Sequence, residues 1–283
     1  LLFTGISLGR ALWIFYETGD VGAFYYDKLA WFFHPTYLAT YMAFGLVVLG
    51  RMYSRHMFAL GKPWVHHITA ALLVLHIALL SSKAGYLCAL LALLLVTLLL
   101  LRRKRSMQGL VYLLLNGALF ASVVLFSPNA QRRLEEVTTL NQAANNDGEE
   151  VKATSSSGGR VVAWETALKV MVEQPMGVGT GDVTNVLKEH YLADGESYAY
   201  KKELNPHNQF LQSGVEFGWL GMVLLMVIMA AGFRIALRHR DFLFFSFLLL
   251  LGLNMLFESF LEVQSGVVFF GFFFCFFVRS LPK

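Results

Sequence analysis

Asn205-Pro206-His207-Asn208-Gln209 gathers an imidazole, three carboxamides and a proline into five residues. Imidazole is the side chain best suited to taking and returning a proton near neutral pH. Asn is a strong helix N-cap and Pro is favoured at the first helical position. The spacing therefore predicts Asn205 as the cap and His207 in the first turn of a helix running on past Phe210. A helix start carries partial positive charge and free N–H groups, so it attracts phosphate and favours a neutral ring that can accept a proton. At about 100° per residue, Leu211, Gly214, Gly218 and Gly221 fall on the His207 side of that helix. Small residues on one face mark close helix packing, which points His207 inward; Glu216 falls opposite and reads as structural.

Charged groups elsewhere suit an anionic ligand. Arg160 opens the stretch RVVAWETALKVMVEQ, whose Val161, Trp164, Leu168, Met171 and Val172 recur at helical spacing up to Pro175. This predicts an amphipathic helix over 160–174, with Arg160 in its first turn and Trp164 at membrane-headgroup level. A cation in a first turn opposes the helix dipole, so either a ligand or partner holds Arg160, or it is a solvated surface arginine. Lys83 lies in a short Ser81-Ser82-Lys83-Ala84-Gly85 turn, and Glu258 and Glu262 lie in another. Together with His207 and Arg160 they could line a pocket for an anionic lipid headgroup, or simply mark a membrane interface. His34, before Pro35, is a secondary candidate, and Arg10 interrupts the first apolar block. Gly177-Val178-Gly179-Thr180-Gly181-Asp182 lacks the strand and spacing of a dinucleotide fingerprint. It reads as a tight turn with Asp182 capping a helix over 183–192. No HExxH, Cys/His zinc spacing, DxD or P-loop occurs. No metal or cofactor is expected.

The elements that position these groups are membrane helices. The chain of 283 residues is 56% hydrophobic and 15% charged, against about 25% charged in a soluble domain. The apolar residues fall in eight blocks, near 1–16, 36–50, 64–81, 84–101, 108–126, 215–235, 241–257 and 264–279. Most match the roughly 20 residues that cross a bilayer. The first block reads as the tail of a span already under way, so further helices are expected ahead of it. Connectors on one side carry Arg51, Arg55 and Lys62, then Arg102, Arg103, Lys104 and Arg105, then Arg234, Arg238 and Arg240, then Arg279 and Lys283. The short connectors on the other side carry Lys28 and Lys83. The positive-inside rule puts the first set in the cytoplasm. The net charge of +4 is thus an orientation signal, and no nucleic-acid partner is expected. The fold class is an all-α polytopic bundle with one large external loop. Its parts are 1–126, transmembrane helices; 127–206, the loop, with 141–159 flexible; and 207–283, C-terminal helices beginning with the His-bearing one. Cys88 and Cys275 lie in apolar blocks with no linking spacing and read as buried free thiols.

Pro206-His207-Asn208 followed by FLQSGVEFGWLG resembles the signature of the O-antigen ligases and the related O-antigen polymerases and bacterial protein O-oligosaccharyltransferases. SSKAG, Arg160 with Trp164, PMGVGTGD and FESFLEVQSGVVFF extend the resemblance over nearly the whole chain. It implies a metal-independent membrane glycosyltransferase of the bacterial inner membrane, with its active site on the periplasmic side. The implied donor is a glycan on undecaprenyl pyrophosphate, and the implied acceptor is a hydroxyl of lipid A–core, another glycan repeat or a protein. His207 resembles the catalytic histidine and Arg160 the pyrophosphate-binding arginine. Lys83 stands where members usually carry arginine, and keeps the charge without the bidentate fork. Asn208, Glu258 and His34 are supporting candidates. A transporter or flippase for lipid-linked sugar is the alternative of another class; internal repeats and broken helices with midplane charges would favour it.

Overall fold

The computed structural model describes residues 2–57, 62–103, 106–127, 131 and 156–280. Lys104, Arg105 and Lys283, expected in cytoplasmic connectors, and most of the polar run 141–159 lie outside them. Among the described residues the chain is all helix, with no strand. Every apolar block coincides with a helix: α1 (Leu2–Thr18), α3 (Pro35–Ser54), α4 (Pro63–Leu79), α5 (Lys83–Arg102), α6 (Ser106–Phe126), α10 (Gln209–Arg238), α11 (Phe242–Met255) and α12 (Gln264–Ser280). Short α2 (Tyr26–Ala30) follows α1. The intervening polar stretch holds α7 (Ser156–Glu173), α8 (Val183–Ala193) and α9 (Ser197–Lys202). Helices over 83–102, 107–126 and 209–238 are long and apolar enough to cross a membrane, and 63–79, 242–255 and 264–280 are shorter apolar helices. This is a membrane protein.

Contacts divide the chain into two compact units. The first comprises 1–133 with 240–254. Its centre is the α3–α5 pair, brought together by small residues: a Cβ on Gly85 would stand 2.6 Å from Ala39 Cβ, and one on Gly50 2.6 Å from Val96 Cγ1. Buried polar groups find partners across helices. Asn254 Nδ2 donates to Thr40 Oγ1 at 2.6 Å, and the Thr36 and Ser82 hydroxyls lie 2.8 Å apart. Arg10 resolves its place in α1 by donating to the Lys28 carbonyl at 2.8 Å, with its guanidinium 5.0 Å from the Trp31 ring. Cys88 is buried here as expected; Cys275, in the second unit, is exposed instead, because it falls on an outer face of α12.

The second unit comprises 134–239 with 255–283. Its core is built by α7, α8, α9 and the start of α10: Ala163, Ala167, Val170, Met171, Val183, Leu187, Tyr191, Ala199 and Val215. Tyr191 anchors the following turn by donating to the Leu204 carbonyl at 3.0 Å. Ion pairs Lys169–Asp194 and Lys188–Glu203 tie the outer edges. Two features differ from the sequence expectation. Helix α7 starts at Ser156, so Arg160 lies beyond the first turn and escapes the dipole conflict. The buried stripe of α7 runs through Ala163, Ala167, Val170 and Met171, whereas Val161, Leu168 and Val172 stay exposed. The face that packs into the unit is therefore rotated from the one marked by Val161, Leu168 and Val172.

The glycine turn meets its partner at a break in α10. Gly218 has φ 69° and ψ −168°, conformations that end the helical ladder. The 175–179 segment takes up the released groups: Val178 N donates to Val215 O and Gly179 N to Glu216 O, both at 2.9 Å, and Trp219 N donates to Pro175 O at 3.2 Å. Trp219 Nε1 adds a bond to Met171 O at 3.1 Å. The small residues on α10 thus pack against α7 and this segment; Gly214 faces Met171, where a Cβ would stand 2.5 Å from Cε. Asp182 does precede α8, although its side chain makes no capping bond.

Candidate active site

His207 is not in a helix. Its φ is 43°, in the left-handed region, and α10 begins two residues later. Asn205 accepts from His207 N at 3.0 Å, closing a turn instead of capping. Asn208 is the cap, its Oδ1 accepting from Phe210 N at 3.0 Å and Leu211 N at 3.2 Å. The expected register is therefore off by three residues, because a second Asn competes for the same task and the turn selects it. Two N–H groups at the start of α10 are already satisfied, which weakens the helix start as a phosphate cradle.

The three residues His207-Asn208-Gln209 each bond the segment after α11. His207 Nδ1 lies 3.2 Å from Glu258 Oε2. Asn208 Nδ2 donates to Leu256 O at 3.3 Å. Gln209 Oε1 accepts from Leu261 N, and its Nε2 lies 3.3 Å from Glu262 Oε1. Phe260, fully buried, pins that segment from beneath. From the other side, Trp164 Nε1 on α7 donates to the Pro206 carbonyl at 2.7 Å, and Arg160 Nη2 lies 3.3 Å from Glu258 Oε1. One buried carboxylate, 5% exposed, thus holds both the imidazole and the guanidinium. The His207 side chain is 32% exposed, so its ring remains open to solvent and to a ligand.

This arrangement brings together Arg160, His207, Asn208 and Glu258, all in the second unit. Lys83 and His34 belong to the first unit. Lys83 is the first residue of α5, whose cap Ser82 accepts from Gly85 N at 3.2 Å, and His34 stands at the cap position of α3 without a side-chain capping bond, its ring tilted against Tyr37 at 5.2 Å. The Thr36–Ser82 bond places these two helix starts at one end of that unit. Sequence reasoning missed Gln209 as a linker and the Trp164–Pro206 bond. Glu216 is buried, accepts from Gln212 Nε2 at 2.9 Å, and is structural. Outside the site, burial pulls the His190 imidazole down, but Glu173 at 2.9 Å and the Val186 carbonyl at 2.8 Å outweigh it and hold the ring above its ordinary value. Among the described residues no three His, Cys, Asp or Glu side chains gather as a metal site.

The family model described as O-antigen ligase matches residues 68–226, more than half of the chain. The chain belongs to the O-antigen ligase family. No curated protein matches it. The matched region contains Lys83, Arg160, His207 and Asn208, while Glu258 lies beyond it. Membership of the O-antigen ligase family carries a glycosyltransferase-like activity on a lipid-linked glycan.

The Trp164 bond gives the first test. Trp164→Phe keeps most of the ring but removes the N–H from Pro206, worth about 1 kcal/mol net. A thermal midpoint lowered by a few degrees is expected, with turnover lowered roughly five- to tenfold by the loosened His207 turn. Parallel unfolding and transfer assays check this. Unchanged turnover would show that the Pro206 anchor does not orient the ring.

Proposed function

We propose that the protein transfers a glycan from undecaprenyl pyrophosphate to an acceptor hydroxyl, with lipid A–core as the acceptor, on the periplasmic face of the bacterial inner membrane. The observation that carries this reading is the single carboxylate, Glu258, that joins His207 to Arg160. Its bond to Nδ1 leaves Nε2 of the exposed ring for an incoming hydroxyl. In this reading Nε2 removes the acceptor proton. The oxygen attacks the anomeric carbon, a new glycosidic bond forms, and the bond to the diphosphate breaks with its electron pair leaving on undecaprenyl pyrophosphate. Arg160 binds that diphosphate and stabilises the charge that develops on it, and the family resemblance assigns the same role to Lys83. The asymmetry of basic connectors supports the periplasmic orientation.

The break in α10 bears on the transport alternative. Broken helices serve transporters by exposing backbone groups to a midplane substrate. Here the groups beside Gly218 bond the 175–179 segment of the same unit instead. The experiment is incubation of the purified protein with undecaprenyl-pyrophosphate-linked glycan and lipid A–core. Glycosylated lipid A–core and released undecaprenyl pyrophosphate are expected. Elongated glycan on the carrier, or a glycosylated protein, would replace the acceptor. Donor left intact with every acceptor would overturn the enzymatic reading.

A further inference from the structure

Arg160 is engaged by a carboxylate of its own unit. Its Nη2 faces Glu258 Oε1 at 3.3 Å, while its Nε is buried with no hydrogen-bond partner among the described residues. Nature seldom leaves a buried guanidinium N–H unmet, and such a group points to an absent acceptor. The carboxylate it faces also holds His207 Nδ1 at 3.2 Å through its second oxygen. A diphosphate offers a guanidinium more charge than one carboxylate does, and in a fork-matched geometry.

From this geometry we infer that Glu258 is a positioning residue that stands in for the donor's diphosphate: it holds Arg160 docked in the empty site, surrenders it when the diphosphate binds, and keeps the His207 ring aligned throughout. The inference rests on the proposed function, since it takes the diphosphate as the ligand of Arg160. It assigns Glu258 two effects of opposite sign. By competing for Arg160 the carboxylate weakens donor binding. By accepting from Nδ1 it fixes the ring tautomer that leaves Nε2 free, and so supports turnover. A merely structural carboxylate would support both.

The test uses the full chain in nanodiscs, with undecaprenyl pyrophosphate lacking a glycan as the binding probe and the lipid-linked glycan as substrate. Glu258→Gln keeps the side-chain shape but removes the charge. It is expected to bind the probe about two- to fivefold more tightly, the scale of a lost competing ion pair. Its kcat is expected to fall on the order of 100-fold, with no rise in KM for donor. The gain in affinity should vanish in the double variant Arg160→Gln/Glu258→Gln, because no guanidinium remains to be released. Glu258→Asp, whose shortened carboxylate reaches less far, should show both effects in smaller measure and serves if the Gln variant does not fold. Weaker probe binding in either single variant, or an unchanged kcat, would overturn the exchange. If the wild type neither binds the probe nor transfers glycan, the proposed function falls with it; a competent wild type with a looser Glu258→Gln variant removes the exchange alone.

Discussion

His207→Ala is expected to lower glycan transfer by roughly 10²–10⁴-fold, the usual contribution of a positioned general base. The loss should fall on kcat. The His207 ring is partly exposed and lies outside the hydrophobic core of its unit, so removing it opens no buried cavity. The turn itself is held by backbone and by neighbours: Asn205 on the His207 N–H, Trp164 on the Pro206 carbonyl, Asn208 on the start of α10. The thermal midpoint should therefore stay within a few degrees of wild type. Arg160 keeps its contact with Glu258 in the variant, so binding of undecaprenyl pyrophosphate should also be retained. Transfer, thermal unfolding and probe binding measured on one preparation separate these outcomes. Near-normal transfer by the variant would remove His207 from the reaction, whatever the family resemblance suggests.

Gly218→Ala is expected to be strongly destabilising. The backbone there combines φ 69° with ψ −168°, a region essentially closed to other residues, at a cost of about 1–3 kcal/mol. A Cβ would also stand 2.1 Å from the Pro175 carbonyl oxygen and 2.7 Å from Met176 C. Both are backbone atoms, and neither can rotate away as a flexible side chain would. Relief requires the 175–179 segment to leave α10, which forfeits the Val178, Gly179 and Trp219 bonds. A loss of more than about 3 kcal/mol is expected, enough to unfold a marginal unit. Because the same segment follows α7 directly, Arg160 would lose its placement beside His207, and transfer would fall with stability. The neighbouring glycines grade the argument. Gly177, at φ 85°, has Glu216 O 2.4 Å from its notional Cβ and should behave like Gly218; Gly179, at φ 89° in open space, should cost strain alone; Gly181, with neither constraint, should tolerate Ala. Thermal unfolding of the four Ala variants checks the order. Equal midpoints across the series would show that the clamp carries no stability.

The helices were legible because the bilayer imposes a length on apolar runs, and each of the eight runs falls on one helix. The side chains that meet in the second unit stand out by residue type: His207, Arg160 and Glu258 are each conspicuous in the sequence, and their convergence on one carboxylate is what the fold adds. Register was less accessible. Asn205 and Asn208 are both good caps, and only the turn between them, with His207 at positive φ, decides which one serves. Gly218 read as one of several small packing residues because a glycine's backbone angles leave no mark in the sequence. Gln209 and Trp164 stand in readable motifs, but their bonds do not show there, since each is made with a partner, Leu261 or Pro206, distant in the chain.

The interruption at Gly218 also sets a distance. From Trp219 to Arg238 the helix has the length, at about 1.5 Å per residue, to traverse about 30 Å of hydrocarbon unaided. The nine residues from Gln209 to Phe217 are left over as a stalk of no more than about 14 Å. If the proposed function holds, a lipid-anchored diphosphate would have to rise by no more than about that length to meet the imidazole. Lengthening that stalk by one helical turn should lift the ring out of reach without touching a single reactive atom.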